Sequence, residues 1–217
     1  MAEADPPKPP SRPARGRYHH GDLRAALVAA AEEILVDKGV DGFTLREAAR
    51  RVGVSPAAPA HHFGDVAGLL TEVAILGFEE LTRHLEEGNQ RGGPDPAARL
   101  REQGIGYVRF ALAYPARFQL MFRREKLRAD DPRLKAAGHA AYMALEAAVR
   151  DVAGFAPDRP LDRAVFASVL GAWSLVHGFA HLALDGEFDG LAGEGGRDAF
   201  IQAMLPDVVA LVAPPRR

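Results

Sequence analysis

The chain has 217 residues, of which 47% are hydrophobic and 26% are charged, enough material for one large or two small globular domains. Its formal net charge of -2 excludes a protein that binds nucleic acid through bulk positive charge, so any DNA affinity must come from a local patch. Cysteine is absent, which excludes disulfides, thiolate nucleophiles and Cys-based metal sites. This composition fits a reducing compartment, and we predict a cytoplasmic protein.

The first seventeen residues are rich in proline and arginine and contain no apolar run. We therefore predict a disordered segment over residues 1–17 and no signal peptide. Two interpretations remain open for this segment. It is either a plain tail or a basic arm whose Arg12, Arg15 and Arg17 contact DNA phosphates or enter a minor groove.

An amphipathic first helix is predicted from Tyr18 to Val36, because Leu23, Leu27 and Ile34 recur on one helical face. Gly39 follows this stripe. A glycine readily adopts the positive φ that ends many helices, so we expect the helix to stop there.

A second and a third short helix are predicted next, joined by a turn. Thr44 can cap the backbone N–H of Glu47 while the Glu47 side chain reaches back, which is the capping-box pattern. Gly53 gives the turn its backbone freedom, and Ser55 is the predicted cap of the third helix, with Pro56 at its first position. Such a pair of helices is typical of a helix-turn-helix, although an ordinary helical hairpin has the same pattern.

A long fourth helix is predicted over about residues 66–87, followed by a boundary at Gly92–Pro96. Further helices are predicted near residues 97–114, 115–122, 132–152, 161–185 and 197–211. No strand-like alternation bounded by turn residues is found, so the predicted fold class is all-α with about nine helices.

The predicted domain organisation follows from these elements. An N-terminal three-helix helix-turn-helix domain is followed by a C-terminal helical ligand-binding and dimerisation domain. The predicted boundaries are residues 1–17 for the arm, 18–65 for the helix-turn-helix domain, 66–91 for a linking helix and 92–217 for the C-terminal domain.

One segment is apolar enough to suggest a membrane span. Residues 164–184 contain no Asp, Glu, Lys or Arg over 21 positions, which is long enough to cross a bilayer. The segment contains His177 and His181, and no basic cluster flanks it. A helix buried on all sides in a helical protein explains these features better, so we predict no membrane partner.

The run from Phe43 to Phe63 closely resembles the DNA-binding domain of the TetR family of bacterial regulators. The segment from Tyr18 to Arg24 resembles the opening of one TetR subgroup, and Trp173 to Gly178 resembles the Trp-x3-His-Gly motif of that subgroup's C-terminal domain. The resemblance implies a homodimer bound to a palindromic double-stranded DNA operator. It also implies a repressor that a small-molecule effector releases.

The resemblance assigns DNA recognition to the third helix and a base-reading role to Arg46 at the start of the second. The predicted DNA-binding residues are Arg12, Arg15, Arg17, Thr44, Arg46, Ser55, Pro56, Ala57, Ala58, Ala60, His61 and His62. The third helix has almost no long polar side chain, so its base contacts would be to thymine methyl groups.

Three features of this region favour an alternative. Ala60 and Val66 replace a tyrosine and a lysine that contact phosphate in the family, and Pro59 could distort the third helix. A ligand-binding or dimerising protein whose DNA function has decayed is therefore the second hypothesis.

Aromatic residues gather in the C-terminal domain. Most are expected in its core, and the functional alternative is an apolar pocket for a hydrophobic or aromatic effector. The predicted ligand-binding residues are Tyr114, Phe118, Tyr142, Trp173 and His177. The resemblance places the dimer interface on the last two helices, with Ser168, Gly171, Ala172, Gly178, Ile201 and Leu205 as its predicted residues.

Metal and enzyme chemistry have little support in the sequence. His177 and His181 have metal-ligand spacing, but a third ligand would have to come from His139, Asp185 or Glu187. A helix histidine bonded to a neighbouring group is the simpler interpretation, so no metal and no cofactor are predicted. No phosphate-cradling glycine loop or nucleophile elbow is found, and we predict that the protein is not an enzyme.

Overall fold

The computed structural model of the protein describes residues 20–211, so the predicted arm with Arg12, Arg15 and Arg17 lies outside the described residues. Within residues 20–211 the fold is all-α, as predicted, with nine α-helices and no strand. The helices are α1 His20–Lys38, α2 Leu45–Val52, α3 Ala58–Phe63, α4 Val66–Arg91, α5 Pro96–Ala113, α6 Pro115–Met121, α7 Pro132–Ala153, α8 Arg163–Leu184 and α9 Gly196–Ala210. Short 3-10 turns lie at Arg124–Lys126, Asp189–Leu191 and Gly193–Gly195.

The first three helices form the expected helix-turn-helix. Gly39, with φ of 69°, follows the end of α1. The Thr44 hydroxyl accepts a hydrogen bond from the Glu47 N–H at 3.2 Å and begins α2. Gly53 ends α2 with φ of 75°, and a side chain there would strain the backbone. The short turn between α2 and α3 therefore depends on this glycine.

The start of α3 differs from the prediction. This helix begins at Ala58, and its N-cap position is Ala57, where no side chain supplies a capping bond. Ser55 is therefore not the cap, and Pro59 rather than Pro56 lies in the first turn. An N–H group at position 59 would have no helical acceptor, so the helix loses no hydrogen bond to Pro59. The distortion that Pro59 was expected to cause is not found.

The long helix α4 connects the two ends of the molecule. The Asp65 carboxylate accepts from the Gly68 N–H at 2.8 Å and caps the helix, which ends at Arg91, four residues beyond the predicted end. Its buried residues belong to one hydrophobic core that contains Leu27 and Ile34 of α1 as well as Val108 of α5. The helix-turn-helix and the C-terminal helices thus share a core through α4.

Helices α4 and α5 cross with their backbones close together. A Cβ atom added to Gly88 of α4 would lie 2.5 Å from the Glu102 carbonyl oxygen. A Cβ atom added to Gly106 of α5 would lie 2.5 Å from the His84 carbonyl oxygen. These glycines are therefore required by packing. A second, smaller core of α5, α7 and α8 contains Leu100, Val149 and Val169, among other residues.

Candidate functional site

The exposed start of α2 carries an arginine without an acidic partner among the described residues. Arg46 is exposed and makes no ion pair within residues 23–211, and together with Thr44 and Pro56 it lines a shallow depression. The other described arginine and lysine side chains of α1 and α2 form ion pairs with carboxylates; they are Arg24, Lys38, Arg50 and Arg51. Arg46 is thus the side chain of this edge that is free to bind an anionic ligand.

The acidic residue beside this edge is neutralised. Arg50 donates two hydrogen bonds of 2.8 Å to the carboxylate of Glu47, and Lys38 lies 3.3 Å from it. The hydrogen bond from Arg50 lowers the pKa of Glu47 to about 2, and Lys38 acts in the same direction. Glu47 is therefore charged at neutral pH but paired with cations, which reduces its repulsion of a phosphate. Its carboxylate does not complete the predicted capping box, because these two cations hold it.

One side of the α3 region faces solvent. Ser55, Pro56, Ala57, Ala60 and His61 are exposed, Ala58 and His62 are half-buried, and Pro59 and Phe63 are buried. The exposed surface consists of methyl groups, one hydroxyl and imidazole. Such a surface can contact thymine methyl groups and phosphates, but it lacks the arginine, asparagine or glutamine that usually reads base edges.

Two arginines hold the C-terminal end of α3. Arg24 donates to the His62 carbonyl at 3.3 Å, and its guanidinium lies 4.6 Å from the centre of the Phe63 ring. Arg128 donates to the Phe63 carbonyl at 2.9 Å and pairs with Asp65 at 3.0 Å. Cations are favourable at the carbonyl end of a helix, so both arginines stabilise the orientation of α3.

Glycines make room for the Arg128 side chain. A Cβ atom on Gly64, whose φ is 80°, would lie 2.6 Å from Arg128 Nη2. A Cβ atom on Gly68 would lie 2.9 Å from Arg128 Cζ. No local pattern in the sequence indicates this role of Arg128, which lies between two predicted helices and 65 residues from Phe63.

A partly open cavity of about 360 Å³ lies among helices α4 to α9 and the segment 122–129. Its wall is mainly apolar. The aromatic residues that line it are Phe78, Tyr107, Phe122, Tyr142 and Trp173. This size is in the range of pockets that hold small organic molecules.

Few polar groups line the cavity. Gln103 is only 4% exposed; its Nε2 donates to the Ala144 carbonyl at 3.4 Å, while its Oε1 has no hydrogen-bond partner. Arg124 and Lys135 also line the cavity, and both side chains are exposed. Neither forms an ion pair with any residue of the described part of the chain. The cavity thus combines an apolar wall with one unpaired acceptor and two cations.

The predicted ligand-binding residues divide into two groups. Tyr142 and Trp173 line the cavity. Phe118, His177 and Tyr114 lie outside this lining. Phe118 is fully buried, with its ring centre 5.3 Å from that of His177, and Tyr114 packs on Phe110 with ring centres 5.8 Å apart.

His177 forms part of the layer behind the cavity wall. Its Nδ1 lies 2.8 Å from the hydroxyl of Tyr107, and its ring lies against Phe122 and His181. Burial lowers the pKa of His177 and His181 lowers it further, so the imidazole is neutral at neutral pH. Burial raises the pKa of Tyr107, which therefore keeps its proton. Over residues 20–211, no three His, Asp or Glu side chains are grouped closely enough to hold a metal ion.

The outer faces of α8 and α9 are apolar and have no partner in the protomer. Large hydrophobic side chains are exposed there or at the residue that follows α9: Phe166, Leu170, Leu182, Met204 and Leu211. Of the described helices, α8 is the one long and apolar enough to cross a membrane. Gly171 and Gly178 border open space, and the Ser168 hydroxyl donates to the Ala164 carbonyl at 3.1 Å.

Three of the predicted interface residues lie elsewhere. Ala172, Ile201 and Leu205 are 5%, 3% and 4% exposed, because they face the core of their own protomer. A partner surface cannot contact them without repacking that core. In the protomer, the exposed apolar side chains of the same two helices are the accessible surface.

Two family profiles match the chain. Residues 27–73 match the bacterial regulatory proteins of the tetR family, and residues 100–208 match the tetracyclin repressor-like C-terminal domain. No curated protein matches the chain.

Solved structures also resemble the chain. A protein of unknown function from Rhodococcus sp. RHA1 is 34% identical over 92% of this chain and 100% of its own, with a TM-score of 0.72. The TetR family transcriptional regulator PfmR from Thermus thermophilus is 19% identical over 84% of this chain and 96% of its own, with a TM-score of 0.61. A TetR family transcription regulator from Marinobacter aquaeolei is 20% identical over 89% and 96% of the two chains, with a TM-score of 0.63.

Proposed function

Because this chain belongs to the TetR family of bacterial transcriptional regulators, we propose that it is a repressor that leaves a palindromic operator when a small apolar or aromatic effector binds. The observation that carries this proposal is that one segment, residues 122–131, contacts both the cavity and helix α3. It lines the effector cavity on one side and holds the DNA-binding helix α3 on the other.

A homodimer is the DNA-binding form in this proposal. The apolar face of α8 and α9 would pack against the same face of a second copy, and Gly171 and Gly178 would allow close approach. This packing also accounts for the charge-free run from Ala164 to Leu184 in α8 without a membrane. A twofold dimer would place the two α3 helices about 34–36 Å apart, in successive major grooves.

At each half-site we assign base reading to Arg46 and close groove contact to α3. Arg46 is exposed and unpaired within the described residues, so its guanidinium is available for a bidentate bond to guanine. The small side chains Ala57 and Ala60 permit close approach of the helix backbone to the groove. The proposed arm with Arg12, Arg15 and Arg17 would add phosphate contacts.

The effector response would pass through segment 122–131. Leu127 has an extended backbone between the 3-10 turn Arg124–Lys126 and the turn that follows it. Leu127 and Ala129 line the cavity, whereas Lys126 pairs with Asp41 at 2.6 Å and Arg128 contacts the end of α3. A ligand that moves Leu127 and Ala129 would therefore also move the cations that hold the DNA-binding helices.

Arg128→Ala is expected to lower operator affinity by roughly 3- to 10-fold, because it removes a charged hydrogen bond at a part-exposed site. Faster amide exchange over residues 58–63 should accompany the loss, since α3 loses one of its two supports. Arg99→Ala is the matched control: it breaks a 2.8 Å ion pair with Asp151, away from α3. Equal effects of the two substitutions would contradict the role of Arg128.

Selection of bound fragments from random-sequence DNA tests the function as a whole. We expect enrichment of a palindrome whose half-sites are about one helical turn apart. Absence of enrichment at low salt would favour the second candidate, a ligand-binding dimer whose DNA function has decayed. The specific observation behind that candidate is the exposed Ala60 and Val66 at family phosphate-contact positions.

Two finer assignments also belong to this proposal. The motif Trp173 to Gly178 supports membership of the subgroup with a Trp-x3-His-Gly motif. We also propose that the cavity binds its ligand without chemical conversion, as a sensor does. The buried polar groups at its wall include an amide and a phenol whose pKa is raised by burial, and neither acts as a general base at neutral pH.

A further inference from the structure

We propose that the cavity binds an apolar organic anion, such as a carboxylate, that carries a hydrogen-bond donor at its buried end. This inference rests on the effector role proposed above and names the chemical class of that effector. Three observations support it: an unpaired acceptor on a buried side chain of the cavity wall, two cations at its edge that are unpaired among the described residues, and the apolar surface between them.

The unpaired acceptor is Gln103 Oε1. The Gln103 side chain lines the cavity wall and is 4% exposed; its Nε2 donates to the Ala144 carbonyl at 3.4 Å, and its Oε1 is buried without a hydrogen-bond partner. A buried acceptor without a donor destabilises a protein, and a ligand donor that reaches it removes this cost. A hydroxyl or N–H group at the buried end of the ligand would supply that bond.

The two cations are Arg124 and Lys135. Both line the cavity, both are exposed, and neither pairs with a carboxylate of residues 23–211. Most other arginines near this region are paired; Arg123 contacts Glu125 at 2.6 Å and Arg133 contacts Glu72 at 2.5 Å. No Asp or Glu of the described chain lines the cavity. The cavity edge therefore attracts an anion and repels a cation.

The separation of these groups sets the shape of the ligand. Leu134, Lys135, Gly138, Ala141, Tyr142 and Leu145 of α7 line the cavity. These positions follow one face of the helix. Ala144, which holds Gln103, lies nine residues after Lys135 on the same helix, a distance of about 13 Å along its axis. The ligand should thus be an elongated molecule with its anionic group at one end and its donor at the other.

The surface between the two ends excludes polar ligands. Aromatic and aliphatic side chains form it, and its two phenol oxygens already have partners: that of Tyr107 lies 2.8 Å from His177 Nδ1, and Tyr142 hydrogen-bonds to Glu146. A sugar or a nucleotide would leave several of its polar groups without partners there. An aliphatic or aromatic body fits this surface.

Calorimetric titration of the full chain tests the proposal with two probe series. The aliphatic series is 12-hydroxydodecanoate, dodecanoate and 1,12-dodecanediol. The aromatic series is 4'-hydroxybiphenyl-4-carboxylate, biphenyl-4-carboxylate and 4-hydroxybiphenyl. In at least one series, the hydroxy acid should bind about 10-fold more tightly than the neutral probe and about 2- to 10-fold more tightly than the acid without a hydroxyl.

Variants assign each preference to its residue. Arg124→Gln with Lys135→Gln should weaken the acids by roughly 5- to 30-fold and leave the neutral probes within about two-fold. Gln103→Leu should abolish the preference for the hydroxyl. Arg101→Gln is the matched control, since Arg101 is exposed, unpaired among the described residues and outside the cavity. Thermal unfolding verifies that each variant is folded.

The proposal is overturned if no acid binds in either series, if neutral probes bind as tightly as acids, or if the double variant leaves acid binding unchanged. These measurements need no DNA. If the titrations fail but fragment selection recovers a palindrome, the proposed ligand class is wrong and the proposed regulator function stands. If fragment selection recovers no palindrome, the proposed regulator function is wrong, whatever the titrations show.

Discussion

Leu170→Glu should convert the protein to a monomer and lower operator affinity by about 100-fold or more. Leu170 is 42% exposed in the middle of α8, on a face that contains no charged residue from Ala164 to Leu184. A carboxylate buried between two copies of this face would lack a cation partner and would be costly to desolvate. Two half-sites that are no longer linked lose the avidity of a bivalent contact, which is about 10²- to 10⁴-fold.

Met143→Glu is the control for that experiment. Met143 is also 42% exposed, but it lies on α7, outside the proposed interface. Sedimentation equilibrium should show a dimer for this variant and a monomer for Leu170→Glu. A dimeric Leu170→Glu protein with native operator affinity would refute the α8 interface.

Arg46→Ala is expected to reduce specific operator affinity by about 1–3 kcal/mol, or roughly 5- to 150-fold. Arg46 is exposed at the start of α2 and pairs with no carboxylate among the described residues, so it can contact a base. The exposed side chains of the α3 region offer a base only methyl groups, a hydroxyl and imidazole. With so few side chains able to read bases, loss of one bidentate contact removes a large part of the sequence discrimination.

Two further variants separate base reading from charge. Arg46→Lys retains the charge but cannot make the same planar, two-pronged contact, so it should restore nonspecific affinity and leave specificity low. Arg101→Ala, at an exposed arginine of α5, should leave operator binding unchanged. Binding is measured by gel-shift titration at one salt concentration. Full specificity in Arg46→Ala would exclude the assigned role.

Local chemistry explains what could be predicted from the sequence. The Thr44 cap and the Gly53 turn each depend on residues within three or four positions, and both are found at the predicted places. The all-α fold and the approximate helix bounds follow in the same way from periodicity. The start of α3 was mispredicted because Ser55 and Pro56 have the local pattern of a helix start, which the structure does not use.

Long-range packing explains what could not be predicted. The contact of Arg128 with the end of α3 spans 65 residues, and no local pattern announces it. The rotation of α8 decides that Trp173 lines the cavity whereas His177 lies behind it. Likewise, aromatic content indicated a pocket but could not tell Tyr142, which lines it, from Tyr114, which packs on Phe110.

The continuous core along α4 has a consequence for how the molecule tolerates damage. Leu69 and Leu70 near one end of this helix and Leu81 and Leu85 farther along it belong to the same cluster of buried residues. Heat or denaturant should therefore not unfold the helix-turn-helix while the C-terminal helices stay folded. Both parts should unfold in one cooperative transition. A substitution that creates a cavity at either end of α4 should therefore lower the free energy of unfolding of the whole molecule.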